Sequence, residues 1–205
     1  FTPDVYLLMG TRHGEVKKTS LDKFSAVRSS GLICMDVEKG DEIVAARTAT
    51  ELDDILMVTS KGQSIRFSVD SVRTSLRTSG GVKGIKLSDG DEVVGMGIAY
   101  PGSFVLVITT QGHGKVTHIE QSPKQQSAGS GVRTIRLVDK TGDLADAKVI
   151  RLNHQVMIVT ANGQVTRTGA KEISVLGRST QGVILMRLDE GDQVVGITFA
   201  DNTGL

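Results

Sequence analysis

The 205-residue chain has one cysteine, no tryptophan and three prolines. A lone thiol, Cys34, closes no internal disulfide, and this cysteine usage reads as that of an intracellular protein. Its flank, "GLICMDV", is apolar and predicts a buried core thiol. Aromatics are 3% of the chain, too few for a platform on which bases stack. No apolar run approaches the roughly 18 residues of a membrane-spanning helix, and no signal-peptide pattern is present, so neither spanning nor secretion is suggested. The chain opens on Phe1 rather than Met, as expected of a piece of a longer protein. Its net charge of +1 names no partner. Glycine, by contrast, is abundant at 24 residues, which with so little proline points to many tight turns rather than disorder.

What is there is a repeat. Gly31, Gly81, Gly131 and Gly182 stand 50, 50 and 51 residues apart. They open "GLICMDV", "GVKGIKL", "GVRTIRL" and "GVILMRL". Turn glycines follow in "KGDEIVA", "DGDEVVG", "KTGDLAD" and "EGDQVVG". Upstream in each unit lies a strand-turn-strand pattern: "LLMGTRHGEVKKT", "ILMVTSKGQSIRF", "VLVITTQGHGKVTHI" and "VMIVTANGQVTRT". The chain is one domain, 1–205, of four copies at about 5–49, 53–100, 103–151 and 154–200, the third the most divergent.

Each copy reads as four short strands. The first is continuously apolar, as a strand buried on both faces would be, and the second alternates. A glycine turn makes them a hairpin. The "GIKL" word is the third strand, and the acidic Gly turn joins it to the fourth. No window sustains a helical period; "AKEISVLGRS" could hold one helical turn. Four-stranded units at this period predict an all-β, propeller-like arrangement of four blades, each burying a face on the next. The spaced aromatics of kelch repeats and the Trp-Asp of WD40 repeats are missing.

The near-zero net charge hides a pattern. Residues 62–87 carry Arg66, Arg73, Arg77, Lys83 and Lys86 against Asp70, and the turn that follows carries Asp89, Asp91 and Glu92. The last copy repeats this, with Arg167, Lys171, Arg178 and Arg187 against Glu172 and then Asp189, Glu190 and Asp192. Copies one and three have basic middles too. Rotational repetition would place the basic segments on one rim, where a polyanion is held by charge alone. No chemistry of an enzyme stands beside it. His13, His113, His118 and His154 occupy non-equivalent contexts without metal-ligand spacing. "DGDE" lacks the later bidentate Glu of a calcium loop. "GHGK" at Gly112–Lys115 lacks the frame of a phosphate loop, and no triad motif occurs.

The strings "TRHGEVKKTSLDKFSAVRSSGL", "TSKGQSIRFSVDSVRTSLRTSGGVKGIKLSDGDEVVGM" and "TANGQVTRTGAKEISVLGRSTQGVILMRLDEGDQVV" closely resemble the C-terminal domain of the bacterial DNA gyrase A subunit, over nearly the whole chain. The resemblance implies a β-pinwheel, six-bladed in the family, whose strand connections differ from a true propeller. It implies double-stranded DNA wrapped on a basic outer rim, supporting negative supercoiling by an ATP-dependent type II topoisomerase. The partners implied are that DNA, the B subunit, and the rest of the A subunit, in an A2B2 holoenzyme. ATP and Mg belong to the holoenzyme, and no cofactor to this domain. A non-catalytic domain, monomeric when isolated, without membrane association and cytoplasmic at the bacterial nucleoid, completes the expectation.

The chain departs from the family pattern in having four copies, in lacking the basic Gln-Arg-Arg-Gly-Gly-Lys-Gly box, and in reading "IEQSPKQQSAGSGV" where a more basic segment is usual. Two alternatives stay open: a topoisomerase IV C-terminal domain that selects DNA geometry without strong wrapping, and a propeller-like protein-interaction scaffold. On the DNA reading the candidate phosphate contacts are Lys17, Lys18, Arg28, Arg66, Arg73, Arg77, Lys83, Lys115, Lys124, Arg167, Lys171 and Arg178. Such contacts position DNA without reading sequence.

Overall fold

A computed structural model describes residues 5–200; residues 1–4 and 201–205 of the chain lie outside the described set. In chain order the strands are β1 (Tyr6–Thr11), β2 (Glu15–Ser20), β3 (Ile43–Ala49), β4 (Asp54–Thr59), β5 (Gln63–Ser68), β6 (Val82–Lys83), β7 (Val93–Ile98), β8 (Phe104–Thr109), β9 (His113–His118), β10 (Val132–Arg133), β11 (Leu144–Ile150), β12 (Gln155–Thr160), β13 (Val165–Gly169), β14 (Val183–Ile184) and β15 (Val194–Phe199). Four single 3-10 turns, Leu21–Phe24, Val69–Ser71, Ile119–Gln121 and Ala170–Glu172, follow the second strand of each copy. The last of them is the helical turn expected in "AKEIS".

The strands form four sheets, and the fold is all-β with the blades in a propeller arrangement. The inner strands β3, β7, β11 and β15 pack on one another in succession around the axis. Each copy's continuously apolar strand lies next to its inner strand, and its alternation of faces explains the run. Ile55 and Met57 of β4 enter a core shared with Leu8 and Val16 of the first blade, while Leu56 and Val58 enter a second core with Val105 and Val107 of the third. Leu106 and Ile108 of β8 face the other way, onto Val156 and Ile158 of the fourth blade. A blade therefore has no core of its own; cores lie between blades, so neighbours are obligatory.

Two expectations are corrected. The third strand of copies two, three and four is not "GIKL" or its equivalent but the two residues before it, and it does not stay in its own blade. Strand β6 pairs antiparallel with β2, β10 with β5 and β14 with β9, so copies two, three and four each lend their third strand to the blade before. The outer edges of three blades are closed in this way, and the fourth sheet has three strands, β13-β12-β15. Residues 25–42 of copy one hold no strand. Cys34, expected in the core, is half-buried in that segment.

We call the crossing segments straps: residues 72–83, 122–133 and 173–184. Each is pinned at both ends to the outer strand of the preceding copy. The Ser75, Gln125 and Leu176 amides donate to Lys18, Arg66 and Val116 carbonyls at 2.8, 2.7 and 2.8 Å. At the other end Gly84, Thr134 and Leu185 amides donate to Gly14, Gly62 and Gly112 carbonyls, each at 2.8 Å. This explains the Gly-Val word. A Cβ on Gly81 would stand 2.9 Å from the Val16 carbonyl oxygen, and one on Gly182 would stand 2.6 Å from that of Gly114. At Gly131 (φ +76°) the same atom would collide with the Ser64 carbonyl. Gly31 (φ +81°) has open space where its equivalents have backbone.

Gly31→Ala and Gly131→Ala therefore separate backbone conformation from strap seating. Both put a side chain at positive φ, which costs about 1–2 kcal/mol. Gly131→Ala must also push the strap off the blade, and we expect it to cost at least about 2 kcal/mol more. Urea unfolding of the two variants measures the difference; equal losses would mean that the glycines serve turn geometry alone.

Candidate nucleic-acid interface

The straps form the outermost strands, so their exposed side chains line the circumference. Their seating sorts the twelve expected phosphate contacts into an interior and an exterior set. Lys17, Lys18 and Lys115 are corrections: they are 1%, 2% and 0% exposed and are interior residues. Lys17 Nζ donates to the Cys34 and Arg77 carbonyls at 3.0 and 2.7 Å. Lys18 Nζ donates to Glu51 Oε1 at 3.1 Å and the Val69 carbonyl at 3.3 Å, and stands 4.6 Å from the Tyr6 ring centroid. Lys115 Nζ is caged by the carbonyls of Gly177, Arg178 and Thr180 at 2.6, 3.1 and 3.0 Å and by Thr180 Oγ1 at 3.1 Å. The Lys17 and Lys115 ammonium groups bind straps, the Lys18 group binds the turns at Glu51 and Val69, and all three residues are buried. A buried cation is tolerable when its donors are all used.

Arg66 is engaged within the fold. It is half-buried, with Nε donating to Asp54 Oδ2 at 3.0 Å and a guanidinium nitrogen reaching the Ile119 and Ser122 carbonyls at 3.3 and 3.4 Å. It ties its blade to the next copy's turn. Arg77 and Arg178, also half-buried, make one contact twice over. Each donates to a carbonyl of the preceding copy's matching segment, Arg77 to Ile33 at 2.6 Å and Arg178 to Arg133 at 3.0 Å. The middle junction has neither device, since Ile65 replaces the caged lysine and Ser127 the arginine.

The remaining candidates are exposed: Arg28, Arg73, Lys83, Lys124, Arg167 and Lys171. Lys124 leans on Asp54 Oδ1 at 3.1 Å while 59% of its side chain stays in solvent. Lys83 sits on β6 with its side chain outward, and Arg133 holds the matching place on β10. Sequence reasoning left Arg133 out of the candidates, along with Lys86, Arg136 and Arg187. Those last three are exposed and occupy one repeat position, just beyond the short strand. The amides of Lys86 and Arg136 donate to the next strap at Gly129 and Thr180, at 2.8 and 2.9 Å, so strap joins strap around the rim. The signal was present in "GIKL", "TIRL" and "LMRL", one basic residue at a fixed offset from the strap glycine.

The acidic turns lie elsewhere. They meet the hairpin tips at one end of the blades, where Arg12 pairs with Glu42 at 3.1 Å and Glu92 at 3.6 Å, and Lys61 with Asp143 at 3.0 Å. Asp91 Oδ1 accepts from Ser60 Oγ and from the Lys61 and Glu92 amides at 2.9, 3.0 and 2.8 Å, so it caps the tip rather than standing free. No group of metal-ligating side chains and no helix long and apolar enough to cross a membrane occurs among the described residues.

A family model described as the DNA gyrase C-terminal domain, beta-propeller, matches residues 6–50, 53–99, 103–151 and 154–201. The chain is similar to the DNA gyrase A subunit of Dehalogenimonas lykanthroporepellens, 51% identical over 201 residues, covering 95% of this chain and 25% of that protein. It is similar to that of Salmonella typhimurium, 38% identical over 193 residues, covering 94% and 22%. The chain thus spans about a quarter of the length of the curated relatives it matches. Among solved structures it is similar to a DNA gyrase A C-terminal domain, with a TM-score of 0.85 at 23% identity, covering 97% of this chain and 66% of that one. It is similar also to the C-terminal domain of a DNA topoisomerase IV, with a TM-score of 0.89 at 23% identity, covering 96% and 62%. At these identities the solved structures bear on the fold.

The caged lysine has a pH signature. Burial, and then the nearby Arg178 charge, lower the Lys115 ammonium from 10.5 to about 8. Between those values the unfolded chain binds a proton that the folded chain has released, so stability rises with pH there. We expect the unfolding free energy of the native chain to gain on the order of 1–2 kcal/mol over Lys115→Met between pH 7 and pH 9.5. Urea unfolding at the two pH values checks this; a gap that narrows with rising pH would contradict it.

Proposed function

Since the chain belongs to the DNA gyrase C-terminal domain family, we propose that its outer rim binds double-stranded DNA without reading sequence and bends it along the straps. The observation that carries this reading is the recurrence of exposed cations at fixed strap positions: Lys83 with Arg133, and Lys86 with Arg136 and Arg187. A row repeated by the fold's own rotation presents charge at regular intervals on a convex surface. Duplex DNA offers a regular row of phosphates, and following a convex row requires curvature, at about 1–6 kcal/mol for a short site. Arg28, Arg73, Lys124, Arg167 and Lys171 extend the same exposed set. In this reading Lys17, Arg66 and Lys115 act indirectly, by holding the straps at fixed positions, and Lys18 by tying the turns at Glu51 and Val69.

The wider role follows from the family. The domain would serve the A subunit of a type II topoisomerase. It would act with a B subunit and the remainder of its own chain in the bacterial cytoplasm, and the wrap would bias strand passage toward negative supercoils. ATP and Mg would act outside this domain.

The test compares two surfaces of opposite charge. In one variant Lys83, Lys86, Arg133 and Arg136 become Gln; in the other Glu38, Asp89 and Glu190, all exposed on the acidic turns, become Lys. Substitutions at such exposed sites usually move stability by no more than about 0.5 kcal/mol each. The rim variant should bind duplex DNA at least about tenfold more weakly, with the log–log salt slope flattened by about 0.9 for each phosphate no longer neutralised. The turn variant should leave that slope unchanged. Native affinity in the rim variant, or equal and opposite effects erased together by salt, would overturn the assigned path.

A further inference from the structure

The inner strands enclose a cavity of about 440 Å³ on the axis, at the end of the blades away from the acidic turns. Every inner strand contributes to its wall: Arg47 from β3, Ile98 from β7, Lys148 from β11 and Phe199 from β15. The connecting turn after β11 adds Arg151 and His154. The ionisable lining holds three permanent cations and, among the described residues, no carboxylate. Asp146, the partner of Lys148 at 3.5 Å, lies outside that lining.

One further polar side chain in the lining, His154, is fixed by local structure. His154 is 8% exposed, and its Nδ1 accepts the Arg151 amide at 3.1 Å. The proton of the neutral ring is therefore on Nε2, which leaves a donor on that side. The ring stands edge-on to Phe199, centroids 5.0 Å apart. The lining also includes the apolar side chains Ile98, Val149 and Phe199.

We propose that this axial cavity binds a small organic oligoanion, that is, a multiply charged phosphate or carboxylate group carried on an apolar body. Two guanidinium groups offer forked donors suited to such oxygens. Cations gathered in a cleft with low-dielectric walls focus their field on it. The volume lies in the range of small-molecule sites, and duplex DNA is far too wide to enter. The site is thus separate from the rim and independent of the DNA reading.

The probes are ADP and benzene-1,3,5-tricarboxylate, with pyrophosphate and adenosine as charge without body and body without charge. Each is titrated into the 205-residue chain at low salt, followed by calorimetry and the His154 ring resonances. ADP or the tricarboxylate, or both, should saturate and shift those resonances. Saturation by one alone assigns the recognised group as phosphate or carboxylate. Pyrophosphate should bind at least about fivefold more weakly than ADP if ADP binds, and adenosine should not saturate. Arg47→Gln with Arg151→Gln should lose about tenfold or more, while Arg47→Lys with Arg151→Lys retains part of the binding. Duplex-DNA affinity should stay within about twofold in both variants. The proposal is overturned if neither anion saturates by about 10 mM, if adenosine binds as well as ADP, or if the glutamine variant binds like the native chain.

Discussion

The open edge of each blade's outer strand is the constraint on which the structure depends. A strand such as β5 has one side paired with β4, and its other row of amides and carbonyls must be satisfied. The short third strand of the same copy is not available, because it is paired with the blade before. The next copy supplies the missing partner through a two-residue strand, seated where only glycine lets the backbones approach. Blade cohesion, blade spacing and the identity of the rim all follow from that loan.

The lysines show how the loan is secured. A strap whose paired strand is two residues long has little ladder with which to hold itself. Lys17 and Lys115 supply an ammonium group from beneath, and each binds strap carbonyls. The middle junction solves the problem differently, with apolar Ile65 beneath the strap and the Arg66–Asp54–Lys124 cluster beside it. The most divergent copy in sequence is the one that donates this strap. Its loss of basic residues is in part a change in how the strap is held. The rim cations Arg133 and Arg136 are kept.

Much of this was legible in the residues. Period, copy number, hairpin turns and the doubly buried strand follow from glycine spacing and from runs such as "ILMVT", because a strand between two cores must be apolar on both faces. The strand exchange was not legible, since the same period results whether a third strand stays at home or crosses to its neighbour. The interior lysines were misassigned because charge was taken as exposure. One residue argued otherwise: Ile65 stands at the repeat position of Lys17 and Lys115, and a position that accepts isoleucine is an interior one. In the same way Lys86, Arg136 and Arg187 sat at one fixed offset, in plain sight. They were passed over because charge was counted by segment rather than by repeat position.

The central claim is that exchanged straps turn the blades into a convex cationic track that curves DNA. It is tested most directly by energy transfer between dyes at the two ends of a short duplex, with and without the chain. The account predicts that the ends draw together on binding and relax as salt releases the DNA, and that removing the exposed rim cations abolishes the approach. Saturating binding with the ends as far apart as in free DNA would contradict it, since the rim would then be a docking patch and not a track.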